Sequence, residues 1–96
     1  MREELKSLWV EALRSGKYKQ AYEWMRDKRK GYFCCLGVLA DQICPDYRVW
    51  DSSVRFSSEE REELGLPKKK QDKLIWLNDT KRASFDKIAD YIERYV

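Results

Sequence analysis

The amino-acid sequence predicts an α+β fold: a small single domain, dominated by helices, with a short β-hairpin or small sheet. Apolar residues recur at spacings of three and four near both ends of the chain, which is typical of amphipathic helices. Between them, aromatic and polar residues alternate over 18–25, which favours a strand. No linker or repeat divides the 96 residues, of which 43% are hydrophobic. We therefore expect one compact domain over 1–96 with a single core.

The first half of the chain is predicted to form a helix, a hairpin and a second helix. The first helix spans 2–14, ends before Gly16 and carries the apolar stripe Leu5, Leu8, Trp9, Ala12 and Leu13. A strand is favoured from Lys17 to Met25, although part of this segment would also suit a helix, and the charged turn over 26–31 could join it to a strand at 32–33. The second helix spans 33–43. Its Gly37 costs about 1 kcal/mol relative to Ala, which is tolerable if another backbone or a ligand approaches closely.

The second half is predicted to contain two further helices separated by less regular segments. Residues 46–57 are irregular or extended, with the anchors Tyr47, Val49, Trp50, Val54 and Phe56. A short acidic helix with a hydroxyl N-cap spans 57–64 and stops at Gly65. Residues 68–70, all lysines, are a solvated linker or a basic patch, and 73–78 form a short apolar helix or strand. Ser84 caps a last helix whose Phe85, Ile88, Ala89 and Ile92 face the core.

Charge and composition exclude several classes of protein. Twenty basic against 17 acidic residues give a net charge of +3, without the excess of a dedicated nucleic-acid binder, so we expect no nucleic-acid partner. No apolar run approaches the roughly 20 residues of a membrane span, and the N-terminus has no apolar signal core. The chain has no histidine, which removes the usual acid/base at neutral pH and the commonest zinc ligand. We therefore expect binding without catalytic residues, metal or cofactor.

The three cysteines are a poor basis for disulfides. Cys34 and Cys35 are adjacent, where a bond between them would be strained, and Cys44 leaves an odd count. The simplest interpretation is a reduced, cytoplasmic protein with buried structural thiols. The alternative is that Cys34 or Cys35 is reactive, activated by a nearby lysine or arginine.

Charge is also segregated along the chain. Residues 1–31 carry nine basic and five acidic side chains, 32–65 carry three and seven, and 66–82 carry six and two. If the two basic segments meet in space, they form an anion-attracting surface that the small net charge conceals. Alternatively, the acidic and basic segments pair across the surface.

A site for a nucleotide-like ligand needs aromatic faces for bases, cations for phosphates and amides or carboxylates for polar edges. The stacking candidates are Tyr18, Tyr22, Trp24 and Trp50; the phosphate candidates are Arg14, Lys17, Lys19, Arg26 and Arg82; the polar candidates are Gln20, Asn78 and Asp79. Each has a structural alternative. The aromatic residues could pack in the core, Gln20 could bridge to loop backbone, and Asn78-Asp79 could form a turn or cap before the last helix. Enzymatic alternatives are Asp79 as a general base and Asp41 with Asp46 at a metal.

Three blocks of the sequence form a recognisable pattern: Cys-Cys-Leu-Gly-Val-Leu at 34–39, Leu-Asn-Asp at 77–79, and the later Phe85, Ile88 and Ala89. With this pattern the chain resembles a family of small proteins found in bacteriophages, prophages and some bacteria. Residues 80–83 depart from the family's glycine-containing turn. The resemblance implies a phage accessory protein in the cytoplasm of a bacterial host. Phage accessory proteins often counter host defence, some by sequestering cyclic oligonucleotides or cyclic ADP-ribose derivatives, and the analogy extends here as an expectation.

Three functions follow as hypotheses. The first is an anti-defence protein that sequesters a small anionic nucleotide signal without turnover. The second is an interaction module that inhibits a host defence protein, and the third is a small enzyme using Asp79 or a cysteine. A homodimer or higher oligomer is expected in the first two cases, because so small a domain builds a deep pocket more easily between two chains.

Overall fold

The computed structural model describes residues 1–27, 29–43 and 54–96 and confirms the α+β class. In these ranges the elements are α1 (Glu3–Arg14), β1 (Arg26–Asp27), β2 (Tyr32–Phe33), α2 (Cys35–Ile43), α3 (Ser58–Leu64), α4 (Lys68–Ile75) and α5 (Phe85–Tyr95). The two strands form an antiparallel hairpin in which Arg26 lies opposite Phe33. The predictions for 46–53, including Trp50, lie outside the described residues. None of the helices in the described ranges has the length and apolar character needed to cross a bilayer.

Helices α1 and α5 pack together and contribute much of the core. Their buried residues are Leu5, Trp9, Val10 and Leu13 in α1, and Phe85, Ile88, Ala89 and Ile92 in α5. Leu8, predicted on the apolar stripe of α1, is instead 49% exposed. The Ser84 hydroxyl accepts a hydrogen bond from the backbone N–H of Lys87, which confirms the predicted cap. Gly16, with φ of +76°, follows the end of α1 as predicted.

The predicted strand over 17–25 is wrong, and so is its helical alternative. Only Gln20 makes an isolated bridge, to Phe33, and the chain then bends before β1 begins at Arg26. The break has a local cause: Glu23 has a left-handed φ of +76°, which ends any extended run. The hairpin itself is confirmed, but its first strand lies inside the segment predicted to be its turn.

Gly37 lies where a backbone approaches α2, as the sequence predicted. A Cβ built at Gly37 would stand 1.6 Å from the carbonyl oxygen of Met25. The N–H of Cys34 donates to the same oxygen over 3.2 Å. Helix α2 starts at Cys35, two residues later than predicted, because Phe33 pairs in β2. The absence of a side chain at Gly37 thus lets α2 lie directly against the segment that leads into the hairpin.

The lysines at 68–70 begin a helix, which excludes the linker and leaves the basic patch as the alternative for them. They open α4, which continues through Ile75 into a π-helical turn, Trp76–Thr80, and the helical alternative for 73–78 is therefore correct. Burial explains the helix: Leu74 is completely buried, and Gln71 bonds both backbone groups of Phe56. The acidic helix α3 has the predicted hydroxyl cap, because Ser57 and Glu60 form a reciprocal capping box.

Candidate functional site

A buried asparagine organises the surface on which several of the predicted ligand residues lie. Asn78, on the π-helical turn, is 1% exposed. Its Oδ1 accepts from Gln20 Nε2 over 2.9 Å and from the backbone N–H of Cys35 over 3.2 Å. Its Nδ2 donates to the Ala21 carbonyl over 2.9 Å and to Asp79 Oδ1 over 2.7 Å. One side chain therefore joins the π-helical turn to the bent segment after α1 and to the start of α2.

Gln20 forms the second part of this brace. Its Nε2 donates to Asn78 Oδ1 and to the Ala83 carbonyl, each over 2.9 Å. Gln20 is thus a bridge to loop backbone, the structural alternative considered for it. Asn78 does not cap the last helix, because its amide lies in the interior and bonds the Ala21 carbonyl and the Cys35 N–H. Both side chains therefore brace the fold beneath the surface.

We call Tyr22, Asp79 and Arg82, with the exposed Trp24 two residues from Tyr22, the Tyr22–Arg82 surface; all four are ligand candidates from the sequence. The Arg82 guanidinium carbon lies 4.3 Å from the centre of the Tyr22 ring. Asp79 Oδ1 accepts from the backbone N–H of Glu23 over 3.0 Å, which holds the segment between Tyr22 and Trp24 against the π-helical turn. Tyr22 and Trp24 are 36% and 43% exposed. An aromatic face, a cation and a carboxylate are thus anchored near one another at the surface.

The backbone under this surface holds two uncommon conformations. Glu23 and Arg82 are the non-glycine residues of the described ranges with positive φ, at +76° and +54°. The left-handed region costs a side-chain-bearing residue about 1–2 kcal/mol. The π-helical turn that precedes Arg82 in the sequence is also an uncommon conformation, and where π-helical turns do occur they are often at functional sites. Strain of this kind concentrates where a fold positions functional groups, which marks this surface as the candidate site.

The remaining sequence candidates have other environments. Arg14 pairs with Asp90 and Glu93 of α5, and these carboxylates raise the pKa of its guanidinium. The Tyr18 hydroxyl donates to Asp41 and accepts from the Gln42 amide. These two residues therefore tie helices together, away from the bonds that build the Tyr22–Arg82 surface.

The hairpin places further cations beside aromatic rings. Lys19 and Lys30 lie 5.8 and 5.9 Å from the centre of the Tyr32 ring, and Arg26 lies 6.0 Å from that of Phe33. Lys17 is exposed near the end of α1. Cations of the basic first segment thus lie beside aromatic rings of β2.

Burial separates the two adjacent cysteines from solvent. Cys34 and Cys35 are 4% and 0% exposed. Burial raises the pKa of the Cys34 thiol to about 12 and that of Cys35 well above its usual range. A thiol that keeps its proton is a poor nucleophile, which favours the structural interpretation of these two residues. Cys44 and Asp46 lie outside the described residues, and the described ranges contain no group of three or more Cys, Asp or Glu placed to share a metal ion.

The sequence analysis missed three contributors. Glu23 offers its backbone N–H to Asp79, and only the fold brings these residues together. Tyr32 was predicted only as part of a strand, but in the structure the ammonium groups of Lys19 and Lys30 lie near its ring. Trp76 is 43% exposed with the Lys73 ammonium 4.4 Å from its ring. The spacing of three between Lys73 and Trp76 was a visible signal, but it has meaning only on a helix.

Comparison with known proteins identifies the family. The family model of a domain of unknown function (DUF8296) matches residues 1–62, more than half of the chain, and the chain belongs to this family. No curated protein and no solved structure matches it. The matched residues include Tyr22, Trp24 and α2, whereas Asp79 and Arg82 follow the matched part. The resemblance to phage proteins stays a prediction.

Proposed function

For this member of a family of unknown function, we propose a phage-type accessory protein that blunts host defence. It binds a small anionic ligand, a cyclic nucleotide or an ADP-ribose-derived immune signal, on the Tyr22–Arg82 surface and sequesters it without turnover. The observation that carries the proposal is the Arg82 guanidinium 4.3 Å from the Tyr22 ring. This arrangement offers a phosphate-binding fork and a stacking plane in one place.

Each group on the surface has a chemical counterpart in a nucleotide. Arg82 has no carboxylate within 4.0 Å in the described ranges, so its N–H groups are available to a phosphate as a bidentate donor. Trp24 and the face of Tyr22 that Arg82 does not cover offer planes for a base. The Asp79 carboxylate, already fixed by the Glu23 N–H, accepts from a ribose hydroxyl or a base amino group. The combination favours a phosphate ester of a nucleoside over a simple anion.

The brace beneath the surface supports tight binding. Asp79 and Asn78 hold the segment that carries Tyr22, and Arg82 lies one residue before the Ala83 carbonyl that Gln20 binds. Groups held in place before binding lose less conformational freedom when a ligand arrives. A sequestering protein needs this property, because it must compete for its ligand with a receptor.

Binding without turnover is supported by the chemistry of the nearby thiols. Cys34 and Cys35 are buried and protonated at neutral pH, so neither provides a ready nucleophile. The exposed surface of one chain covers one side of a ligand, and we propose that a second copy covers the other.

The test is calorimetric titration of the protein with cyclic dinucleotides, cyclic ADP-ribose isomers, linear ADP-ribose and inorganic phosphate. We expect saturable, stoichiometric binding of at least one nucleotide and none of inorganic phosphate. Arg82→Gln should weaken binding roughly tenfold to a hundredfold, because it removes a charged hydrogen-bonding partner. Tyr22→Leu should weaken it through loss of stacking. Lys81→Gln, an exposed lysine one residue earlier, is the matched control and should bind as the wild type does.

The fate of the ligand distinguishes the three hypotheses. Mass spectrometry after denaturation of the complex should recover the ligand unchanged; a modified product would favour the enzyme hypothesis instead. If no nucleotide of the panel gives a measurable heat of binding, the proposal is refuted. The interaction module is favoured by the exposure of Trp24 and Trp76, and a stoichiometric complex with one host defence protein, without nucleotide binding, would establish it in place of sequestration.

A further inference from the structure

Three lysines of α4 lie near two exposed aromatic rings, one on the π-helical turn and one on α5. Lys69 and Lys73 are four residues apart on a helix, and Lys73 in turn lies against Trp76. The ammonium of Lys70, the next residue after Lys69, lies 5.6 Å from the centre of the Tyr95 ring at the end of α5. We call these five residues the α4 basic face. It exists only because 68–75 is a single helix; in a flexible linker the lysines would have no fixed relation to either ring.

The charge of this face is not neutralised within the described part of the chain. Asp72 is the one carboxylate of α4, and it already pairs with Lys68 over 2.9 Å and with Arg55 over 3.6 Å. Lys69, Lys70 and Lys73 have no ion pair in the described ranges. Three adjacent positive charges therefore remain to attract an anionic partner.

The two rings indicate which kind of anion fits. Trp76 is 43% and Tyr95 is 54% exposed, so large aromatic surfaces lie open to solvent beside the lysines. Each ring has a lysine ammonium near it and keeps area for a flat partner. Phosphates with unpaired bases between them match a surface that carries both cations and open rings. Tyr95 contacts the Tyr91 ring on one side, with centroids 5.1 Å apart, and is otherwise open. An acidic helix would satisfy the lysines but would offer no flat partner to the exposed area of either ring.

We propose that the α4 basic face binds single-stranded nucleic acid. Lys69, Lys70 and Lys73 contact successive phosphates, and a base stacks on Trp76, with a neighbouring base on Tyr95. The small net charge of +3 argued against nucleic acid as a partner, but a local field depends on the arrangement of charges rather than on their sum. The proposal uses none of the residues of the Tyr22–Arg82 surface and stands independently of the proposed function.

The experiment is fluorescence anisotropy of a labelled oligothymidylate, titrated with the full chain at several salt concentrations. Three phosphate contacts predict that log K falls against log salt with a slope of about −2, since single strands contribute about −0.7 per phosphate. Affinity should therefore drop roughly twentyfold between about 50 and 200 mM salt. Trp76→Leu should weaken binding roughly tenfold with the slope unchanged, because it removes stacking and no charge. The double variant Lys69→Gln/Lys73→Gln should reduce the slope to about −0.7.

Matched controls separate this face from the rest of the molecule. Lys87→Gln changes an exposed lysine of α5 and should bind the oligonucleotide as the wild type does. Arg82→Gln should also bind the oligonucleotide as the wild type does. If this variant loses affinity only in the nucleotide titrations, the loss belongs to the Tyr22–Arg82 surface. No anisotropy change at about 50 mM salt, or binding that is insensitive to Trp76→Leu and to the lysine pair, would overturn the proposal. So would a low-salt dimer that the lysine pair dissociates and that does not bind the oligonucleotide, because the face would then accommodate the acidic α3 of a second copy.

Discussion

Replacing Asn78 with alanine should destabilise the protein by about 4 kcal/mol. The side chain makes four hydrogen bonds, and two of them reach backbone groups in the interior, the Ala21 carbonyl and the Cys35 N–H. Without Asn78 these two groups lose a partner, and each buried unsatisfied group costs about 1–3 kcal/mol. The other two partners, Gln20 and Asp79, are partly exposed and can turn to water. The loss is a large fraction of the roughly 5–15 kcal/mol by which domains are stable.

Equilibrium unfolding in urea, followed by tryptophan fluorescence and by circular dichroism, measures this loss. Thr80→Ala is the matched control: it lies on the same π-helical turn and is exposed, so it should change the free energy of unfolding by less than about 0.5 kcal/mol. The variant should also release the segment carrying Tyr22, with faster amide hydrogen exchange at Ala21 and Glu23. A loss below about 1 kcal/mol for Asn78→Ala would refute the argument that this amide holds the site together.

Three further outcomes follow from the fold. Gly37→Ala should destabilise by about 3 kcal/mol in urea unfolding, although alanine is the better helix former, because the new methyl group meets a backbone carbonyl 1.6 Å away; equal or greater stability would contradict that close approach. Ser57→Ala should lower the melting temperature through loss of about 1 kcal/mol of capping, and an unchanged melting curve would show the cap to be dispensable. In a Cys44→Ser background, iodoacetamide at pH 8 should label Cys34 and Cys35 only after unfolding. Their pKa values are raised and lie above that pH in the folded state, so labelling of the native protein as fast as in urea would contradict their burial.

Much of the fold follows from local pattern. The apolar spacing in α1 and α5 reflects helix geometry, and both helices bury the predicted face apart from Leu8. The cap at Ser57 was predictable because it satisfies backbone groups of its own helix. The close approach at Gly37 was predictable because a glycine inside a helix is unfavourable unless another group needs the space. Local pattern failed over 17–25, where alternating aromatic residues suggested a strand. There the backbone follows long-range bonds to Asn78 and Asp79, which periodicity cannot show.

The candidate site, like the fold, was predictable from the sequence only in part. Aromatic and basic residues near 14–31 were visible as ligand candidates, and so was the importance of Asn78 and Asp79. Which of them are braces and which face solvent depends on partners about 60 residues away along the chain, as the bond from Gln20 to Ala83 illustrates. The sequence leaves 68–70 open as a linker or a basic patch, because charged residues at the start of a helix carry no apolar signal. The burial of Gln71, which holds these lysines in a helix, is invisible in sequence.

The packing of α1 against α5 has a consequence for how the protein is made. Arg14 bonds to Asp90 and Glu93, and the apolar residues of α5 cover part of the apolar face of α1. Bringing α1 and α5 together closes the long loop between them, and local helix formation does not offset the entropic cost of that closure. Folding should therefore be slower than in a helical bundle whose contacts are mostly between neighbouring helices. During synthesis, α2 can cover part of α1 early, since the Trp9 indole bonds to the Cys35 carbonyl, but the area that α5 covers stays open until residues 85–95 have emerged. The nascent chain should therefore stay sensitive to proteases until α5 has docked.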